Sequence, residues 1–413
     1  MRILVVAEQY PWPAVDGYRR RMDHVIRGLA RAGQVDVMAL HRLGTAEPAD
    51  HGITGEDYHE VRAVAVPAAA DRGLRDWLGR WIRSGLPRRT LGPDWSPLRT
   101  RLVGAPSSPR YDLVWFSHVD SWVGLRDVVN ASHQIVDFDN LEDIALKLRR
   151  RVPPRFPPGA GVPQRLKIAI RWAVSRGFDA VDQRRWTRIQ CDCGQAVDRV
   201  VVCSELDVSR SGCNNAVVIG NGADRPIGAI PDRMDLRSES PTMLFIGALD
   251  YEPNTEAVEW FVREVFPSVR NAVPAARARI VGRGSELLGW VDSVDGVDMV
   301  GSVPAVEPEL LRADVSIVPI MVGAGTRLKV VEALANRIPI VTTTVGCEGI
   351  DLFNEVHGLI ADDAAAFAAA CTRLLTNGDL RQRLADNGAE LFESTYDWEL
   401  IERRIADLVI ATI

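Results

Sequence analysis

The sequence predicts an α/β protein made of two Rossmann-like, doubly wound domains that face each other across a cleft. Apolar runs of strand length alternate with helical patterns in both halves of the 413-residue chain, which is typical of βαβ units and parallel sheets. A proline-bearing stretch without periodicity separates the halves. Residues 1–220 hold 32 basic and 25 acidic residues (+7), and the rest hold 17 and 30 (−13). Halves of opposite charge fit two domains that face each other.

The first domain is predicted to span residues 1–222. The run ILVVA (3–7) is a strand, and it precedes a helix over 18–33 whose apolar residues share one face. Gly33 is well placed to end that helix. Five later apolar runs have the composition of buried strands, at 35–40, 111–117, 133–139, 198–204 and 216–224.

Residues 223–241 are predicted to be the linker, because they contain several prolines and show no periodicity. The second domain, 242–396, then restarts the alternation of strands and helices. Its helix covers 255–270, and its strands are expected at 242–248, 276–284, 297–303, 315–320 and 338–344. The tail 397–413 has a wide apolar face and is predicted to be a final helix.

The lengths of the apolar runs and the spacing of the cysteines argue against a membrane-spanning protein, a secreted protein and a structural zinc site. No stretch approaches the roughly 18 to 20 uncharged apolar residues of a membrane span. The first apolar run is too short for a signal-peptide core, so a cytoplasmic protein is expected. Cys191, Cys193, Cys203 and Cys213 cluster in the sequence, but their spacing differs from that of structural zinc sites, so they are interpreted as small buried apolar residues.

The segment GAGTRLKVVEALA, residues 323–335, holds one of only three lysines in the chain, Lys329. It follows a predicted strand and runs into a helix. Gly323 and Gly325 allow the backbone to approach a ligand, and a helix N-terminus attracts anions. Arg327 and Lys329 stand where helix dipoles disfavour cations. A bound polyanion explains both cations better than helix stability does, whereas the alternative is that they are only solvated.

Three further residues lie in or next to the first turns of predicted helices. Glu332 lies one turn after Lys329, where it could pair with the lysine or accept two hydroxyls of a ribose. In the first half, Asp16 can cap the helix that follows ILVVA, and Gly17 gives close access to its N-terminus. Any loop between a strand and a helix can carry Asp-Gly, so this second signal is weak alone.

The chain resembles a known family over nearly its whole length. It is similar to the retaining glycosyltransferases of the GT-B fold, the large family 4 class (glycosyl transferases group 1). The stretches that carry the resemblance are DRVVVCSELD (198–207), VVIGNGAD (217–224), LFIGALDYEPNTEAVEWFVREVFPSVRNAVPAARARIVGRG (244–284) and ADVSIVPIMVGAGTRLKVVEALANRIPIVTTTVGCEGI (313–350). The last is the most specific. It resembles the donor-binding segment, in which glycine-rich backbone and two glutamates eight residues apart hold a nucleotide sugar.

The resemblance implies roles for single residues. Glu332 matches the second glutamate, which binds the ribose, and Ala324 stands in place of the first, which normally touches the sugar. The backbone of Gly323, Ala324, Gly325 and Thr326 would face the sugar and the phosphates. The loop GALDYEPN lacks the two cations that many members place there, and Arg327 and Lys329 are interpreted as their replacement. His118 would contact the transferring sugar, and Arg283 would contact the phosphate or the base. The final helix, 397–413, would cross back to the first domain.

The implied mechanism is front-face retention, in which the departing β-phosphate oxygen takes the proton of the acceptor. Neither a protein nucleophile, a metal nor a resident cofactor is needed. Arg327, Lys329 and helix N–H groups would stabilise the leaving diphosphate. The sequence Asp137-Phe138-Asp139 resembles a metal motif of the other glycosyltransferase fold, but it lies in a Rossmann-like half. Two alternatives remain, a nucleotide-sugar epimerase and a non-catalytic member that binds nucleotide sugar.

The expected partners are a nucleotide-sugar donor and a glycan, lipid-linked or small-molecule acceptor, without nucleic acid. Two strongly basic segments bear on this. In residues 72–89, arginines surround two tryptophans, Trp77 and Trp81, which suits either a peripheral contact with the inner face of the membrane or an ordinary solvated surface. Residues 146–190 hold twelve basic residues and two aspartates, and a solvated arginine-rich surface is the favoured interpretation.

Overall fold

The computed structural model describes residues 1–14, 16–42, 60–66, 74–92, 94–103, 111–154, 156, 159, 161–228, 230, 233, 235, 239–323 and 325–413. The chain divides into two compact units. The first comprises Met1–Gly220 together with Ile401–Ile413, and the second comprises Asn221–Leu400. Each unit is a parallel sheet with its connecting helices, as the alternation of patterns predicted. None of the described helices is long and apolar enough to cross a membrane.

The sheet of the first unit has seven parallel strands in the order β3-β2-β1-β4-β5-β6-β7. These are β1 (Arg2–Ala7), β2 (Gln34–Arg42), β3 (Glu60–Val66), β4 (Tyr111–Phe116), β5 (Ala131–Phe138), β6 (Arg199–Val202) and β7 (Ala216–Val218). The helices are α1 (Gly17–Ala30), α2 (Leu74–Ser84), α3 (Ser96–Val103), α4 (Val119–Leu125), α5 (Glu142–Arg149), α6 (Val162–Ala196) and α7 (Glu205–Ser211), with a 3-10 turn at Arg89–Leu91. The strand order reverses between β1 and β4, so their carboxyl ends flank a topological switch point.

The second unit has six parallel strands in the order β10-β9-β8-β11-β12-β13. They are β8 (Thr242–Ile246), β9 (Arg277–Val281), β10 (Val297–Gly301), β11 (Val315–Val318), β12 (Ile340–Thr342) and β13 (Leu359–Ile360). Its helices are α8 (Glu252–Trp260), α9 (Phe266–Ala272), α10 (Glu307–Arg312), α11 (Leu328–Ala335), α12 (Ala364–Thr376) and α13 (Gly378–Leu391), with π turns at Phe261–Val265 and Phe392–Tyr396 and 3-10 turns at Ser285–Ser293. The switch point lies between β8 and β11.

Several elements differ from the predicted ones for identifiable reasons. The helix predicted over 255–270 is α8, a π turn and α9, because Pro267 removes a backbone N–H and the chain closes a wider turn before it. The edge strands β3 and β13 were not predicted. The described residues of the segment 223–241, predicted as a linker, belong to the second unit, where the buried Arg233 donates to Ala313 O and Asn336 O.

The aromatic face of α2 is packed against α6. Trp77 and Trp81 stack with ring centroids 6.3 Å apart, and the Trp81 ring meets Phe178 at 5.0 Å. Trp81 is 8% exposed, and its Nε1 donates to Asp182 Oδ1 at 2.8 Å. This pair therefore does not form the free apolar face that a membrane contact through residues 72–89 would use.

The last helix, α14 (Trp398–Thr412), contributes its residues from Ile401 onward to the first unit. There it packs on α1. Glu402 is held by His24 Nδ1 at 2.9 Å and by Arg31 Nη2 at 2.6 Å. Gly28 of α1 makes this approach possible, because a Cβ there would lie 2.9 Å from both Glu402 O and Ile405 Cβ.

We expect Gly28→Ala to lower the free energy of unfolding by about 1–3 kcal/mol, because α14 must move away from α1. The same substitution at Gly177, a helical glycine whose added Cβ would meet nothing within 4 Å, is the matched control. It should raise stability by up to ~1 kcal/mol through helix propensity. Thermal denaturation of both variants checks the pair, and equal midpoints would contradict close packing of the two helices.

Candidate functional site

The segment singled out in the sequence lies at the switch point of the second unit. β11 ends at Val318, and the chain then forms the glycine-containing loop that leads into α11. Arg327 is the residue before the first turn of α11, and Lys329 is in that turn. Gly323 and Gly325 have φ values of 147° and 83°, in the region that favours glycine. Ala324 lies outside the described residues.

The ammonium group of Lys329 lies against the loop that follows β8. Nζ donates to Asn254 Oδ1 at 2.8 Å and stands 4.1 Å from the ring centroid of the buried Phe245. A Cβ on Gly247, the first residue after β8, would lie 2.7 Å from Nζ. Helix α11 thus places a cation beside the loop GALDYEPN, whose own sequence contains none.

Burial makes the charges of this site costly in the free protein. Burial lowers the pKa of Lys329 to about 7, with a further decrease from the neighbouring Arg327 charge and an opposing increase from Glu332. Burial also lowers the pKa of Arg327. Its Nη1 donates to Gly325 O at 2.6 Å, so the guanidinium lies over the glycine loop. The positive charges of Arg327 and Lys329 repel each other, and an anion bound between them would stabilise both.

Thr326 adds a polar group to the same place. Its hydroxyl oxygen is buried and has no hydrogen-bond partner among the described residues. Buried hydroxyls are normally satisfied, so an exception needs an explanation. A phosphate or sugar oxygen beside the two cations would satisfy this one.

Arg283 occupies a more exposed position. It follows β9, and its Nε donates to Asp250 Oδ2 at 2.9 Å, with the side chain 66% exposed. Backbone Leu249 N donates to Arg283 O at 2.7 Å, which ties the loops after β8 and β9 together. Arg283 is therefore paired with a carboxylate, unlike the half-buried Lys329, which has a neutral amide as its hydrogen-bond partner.

The switch point of the first unit holds a second polar cluster, centred on His118. The residue follows β4 and precedes α4, and its side chain is 3% exposed. Nδ1 lies 3.3 Å from Asp120 Oδ2 and 3.5 Å from Asp120 N, and the shorter contact is the one that a protonated ring makes. Nε2 lies 3.7 Å from Glu142 Oε1, beyond hydrogen-bond range.

Arg89 joins the carboxylates of this cluster. Its Nε lies 2.8 Å from Asp120 Oδ2 and its Nη2 lies 3.1 Å from Glu8 Oε1, while Nη1 pairs with Glu142. Burial and the Arg89 charge lower the pKa of His118, but Asp120 and Glu8 outweigh them and raise it to about 9. Glu8, His118 and Asp120 bring ligand atoms within 4.8 Å of one another, yet a protonated histidine and a guanidinium already balance these carboxylates.

Gly17 contributes to the switch point of the first unit only through its place in the chain. It begins α1, after Asp16 has capped the helix by accepting from Arg19 N. The next residue, Tyr18, has its hydroxyl 3.0 Å from Ser117 Oγ and accepts from Glu8 N at 3.1 Å. Gly17 therefore leads the chain to a tyrosine that ties the carboxyl ends of β1 and β4 together.

Sequence reasoning missed four members of the His118 cluster, namely Glu8, Arg89, Asp120 and Glu142. One signal was available, because Glu8 directly follows a buried strand at the end where ligands bind. Arg89 gave no signal, since it is one of many arginines in a basic segment.

Comparison with known proteins agrees with this arrangement. Residues 240–377 match the family described as Glycosyl transferases group 1. Glycogen synthase of Mycobacterium tuberculosis is 25% identical over 442 residues, with 100% of this chain and 95% of that protein covered.

Solved structures show the same fold over the whole chain. Sucrose-phosphate synthase from Thermosynechococcus elongatus superposes with a TM-score of 0.67 at 19% identity, covering 100% of this chain and 99% of that one. HepE of Anabaena, in complex with UDP and glucose, gives a TM-score of 0.60 at 13% identity, with 100% of both chains covered. The predicted GT-B fold is confirmed, and within it residues 240–377 match the group 1 glycosyltransferases.

Proposed function

We propose that this chain transfers a hexose-like sugar, with retention and without a metal, from a nucleoside diphosphate sugar to a glycan, lipid-linked or small-molecule acceptor. The observation that carries the proposal is the half-buried Lys329 ammonium beside Gly247, with Arg327 and the unsatisfied Thr326 hydroxyl at the same switch point. The HepE structure in complex with UDP-glucose supplies the analogy for a nucleotide-sugar donor.

The chemistry follows from the charges. A diphosphate that leaves the sugar develops negative charge, and fixed cations and helix N–H groups stabilise such charge most strongly where water is excluded. Lys329 and Arg327 would bind this diphosphate, and the Thr326 hydroxyl would donate to one of its oxygens. Glu332 would accept the ribose hydroxyls. The bond from the anomeric carbon to the β-phosphate oxygen would break as the bond to the acceptor oxygen forms. The departing β-phosphate oxygen would take the proton of the acceptor hydroxyl, so no protein base is required to remove it.

A non-catalytic member that binds nucleotide sugar is the second candidate. Ala324 favours it, because the glutamate expected at this position normally touches the sugar. The cations and Glu332 remain in place, which favours catalysis. Detection of free sugar from a panel of nucleotide sugars separates the two, since a transferase slowly hydrolyses its donor whereas a binding protein returns it intact.

The nucleotide is identified by thermal shift with UDP, GDP, dTDP and ADP, and with inorganic pyrophosphate as a probe without ribose. A ligand at 100 times its dissociation constant should stabilise the protein by about 2.7 kcal/mol. We expect Glu332→Ala to remove the advantage of the nucleotide over pyrophosphate. Glu390→Ala, at an exposed position of α13, is the control and should change nothing. If no nucleotide shifts the midpoint, the donor-site proposal fails.

A further inference from the structure

The amino-terminal half of α6 carries an exposed apolar ridge. Its four members are 55–80% exposed and recur every fourth residue, so they lie on successive turns of one side of the helix. They are Val162, Leu166, Ile170 and Val174, and we call them the α6 ridge. Large apolar side chains this exposed are unusual when they are contiguous, and such patches mark interaction surfaces.

The other side of the same half of α6 packs on its own unit. Trp172 Nε1 donates to Val152 O at 2.9 Å, and Arg176 lies over the Trp172 ring and pairs with Asp179. With 3.6 residues per turn, Trp172 points away from the ridge. The ridge is therefore the outer face of the helix, and no described part of the unit covers it.

Positive charge flanks the ridge on both sides. Arg165 lies on one side, and Lys167 and Arg171 lie on the other, as the helical repeat requires. All three are exposed, and none has a carboxylate partner among the described residues. Residues 161–178 contain no aspartate or glutamate. An apolar strip flanked by cations on both sides is typical of a helix that lies in the surface of an anionic bilayer.

We propose that the α6 ridge docks on an anionic lipid surface. A second copy of this chain is disfavoured as the occupant, because it would bring the same cations against Arg165, Lys167 and Arg171. The ridge also spans about 18 Å along a single convex helix, which suits a flat surface better than an enclosed groove. This surface differs from residues 72–89, where the two tryptophans pack on Phe178.

The test is flotation of the full chain with vesicles of phosphatidylcholine alone or mixed with phosphatidylglycerol. We expect the protein to float only with the anionic vesicles, and less at high salt. The double variant Leu166→Glu, Ile170→Glu should lose at least about tenfold in partitioning, because two apolar contacts become charged. The triple variant Arg165→Gln, Lys167→Gln, Arg171→Gln should lose roughly a hundredfold.

Ile82→Glu is the matched control, since Ile82 is equally exposed, at 61%, and belongs to α2. It should float as the unchanged protein does, and all variants should keep their thermal midpoint because the altered side chains are exposed. The proposal is overturned if the unchanged protein does not float with anionic vesicles. It is also overturned if the double variant Leu166→Glu, Ile170→Glu, the ridge variant, floats as well as the unchanged protein. If Ile82→Glu lost flotation to the same extent, the lipid contact would not be specific to the α6 ridge, and the proposal would fail.

Two further outcomes also overturn the proposal. If sedimentation without lipid shows a dimer that the ridge variant abolishes, the occupant is a second copy. If the protein ignores vesicles but binds immobilised polyglutamate through the ridge, the occupant is an acidic protein. Nucleotide binding, measured in parallel, should be the same in every variant, so this result stands apart from the proposed function.

Discussion

Replacing Lys329 by methionine should abolish nucleotide binding and transfer while the free protein becomes more stable. Removing one preorganised donor to a developing anion costs roughly 10² to 10³ in rate, and under the proposed function this donor would also hold the ground-state diphosphate. The gain in stability has a separate cause. Burial lowers the pKa of Lys329 from 10.5 to about 7, so folding disfavours the charged form. We expect the thermal midpoint of the free variant to rise by a few degrees.

The lowered pKa of Lys329 also decides how the free energy of unfolding changes with pH. Above pH 10.5, the ordinary pKa of a lysine, Lys329 is neutral in both the folded and the unfolded protein. It then does not lower the free energy of unfolding. As the pH falls toward 7, the unfolded chain takes up a proton that the folded protein resists, so the free energy of unfolding decreases. Lys329→Met should remove this decrease. A matched control is Lys147→Met, since Lys147 is exposed on α5.

Binding of a diphosphate should restore the proton. Near pH 8 the free lysine is mostly neutral, and the bound anion should raise its pKa, so binding takes up close to one proton. Calorimetry in two buffers of different ionisation enthalpy measures this uptake. The lysine Cε signals of an isotope-labelled protein, only three in number, report the same pKa directly. Binding without proton uptake in the unchanged protein would contradict a neutral Lys329.

Replacing His118 by alanine should lower kcat by about a hundredfold, the usual effect of removing one hydrogen-bond donor from a transition state. Under the proposed function, this residue would contact the transferring sugar. Asp120 and Glu8 keep its ring protonated, and Nε2 is beyond hydrogen-bond range of Glu142. The affinity for nucleotide alone should not change, because the nucleotide part of the donor is assigned to the second unit. Steady-state kinetics and nucleotide titration together give this split.

His133→Ala is the control for this variant, since His133 is on β5 and pairs with Asp198 away from the cluster. The pH profile adds a test that a merely structural role would not meet. Activity of the unchanged enzyme should fall as the pH rises through about 9, where His118 loses its proton. Asp120→Asn should shift that decline to lower pH. An unshifted profile would remove His118 from the reaction.

The sequence was most informative where a pattern is local. Buried strands such as β1 and β4 are nearly continuous apolar runs, and their positions followed from composition. The GAGTRLK segment was found because glycines and cations at a helix start are chemically conspicuous. Arg89 could not be found in this way, since its role depends on carboxylates from three other segments. Likewise, only the structure shows that Lys329 reaches Gly247, some eighty residues earlier in the chain.

The position of α14 has a consequence for how the protein is made. Residues 1–220 leave the ribosome before the second unit, but Glu402 and Ile405, which cover α1 at Gly28, are synthesised only after it. Domains often fold during synthesis from the amino terminus onward. Here the first unit must wait with one face of α1 uncovered until the whole second unit has been translated. The half of the protein that is synthesised first is therefore the half that finishes folding last.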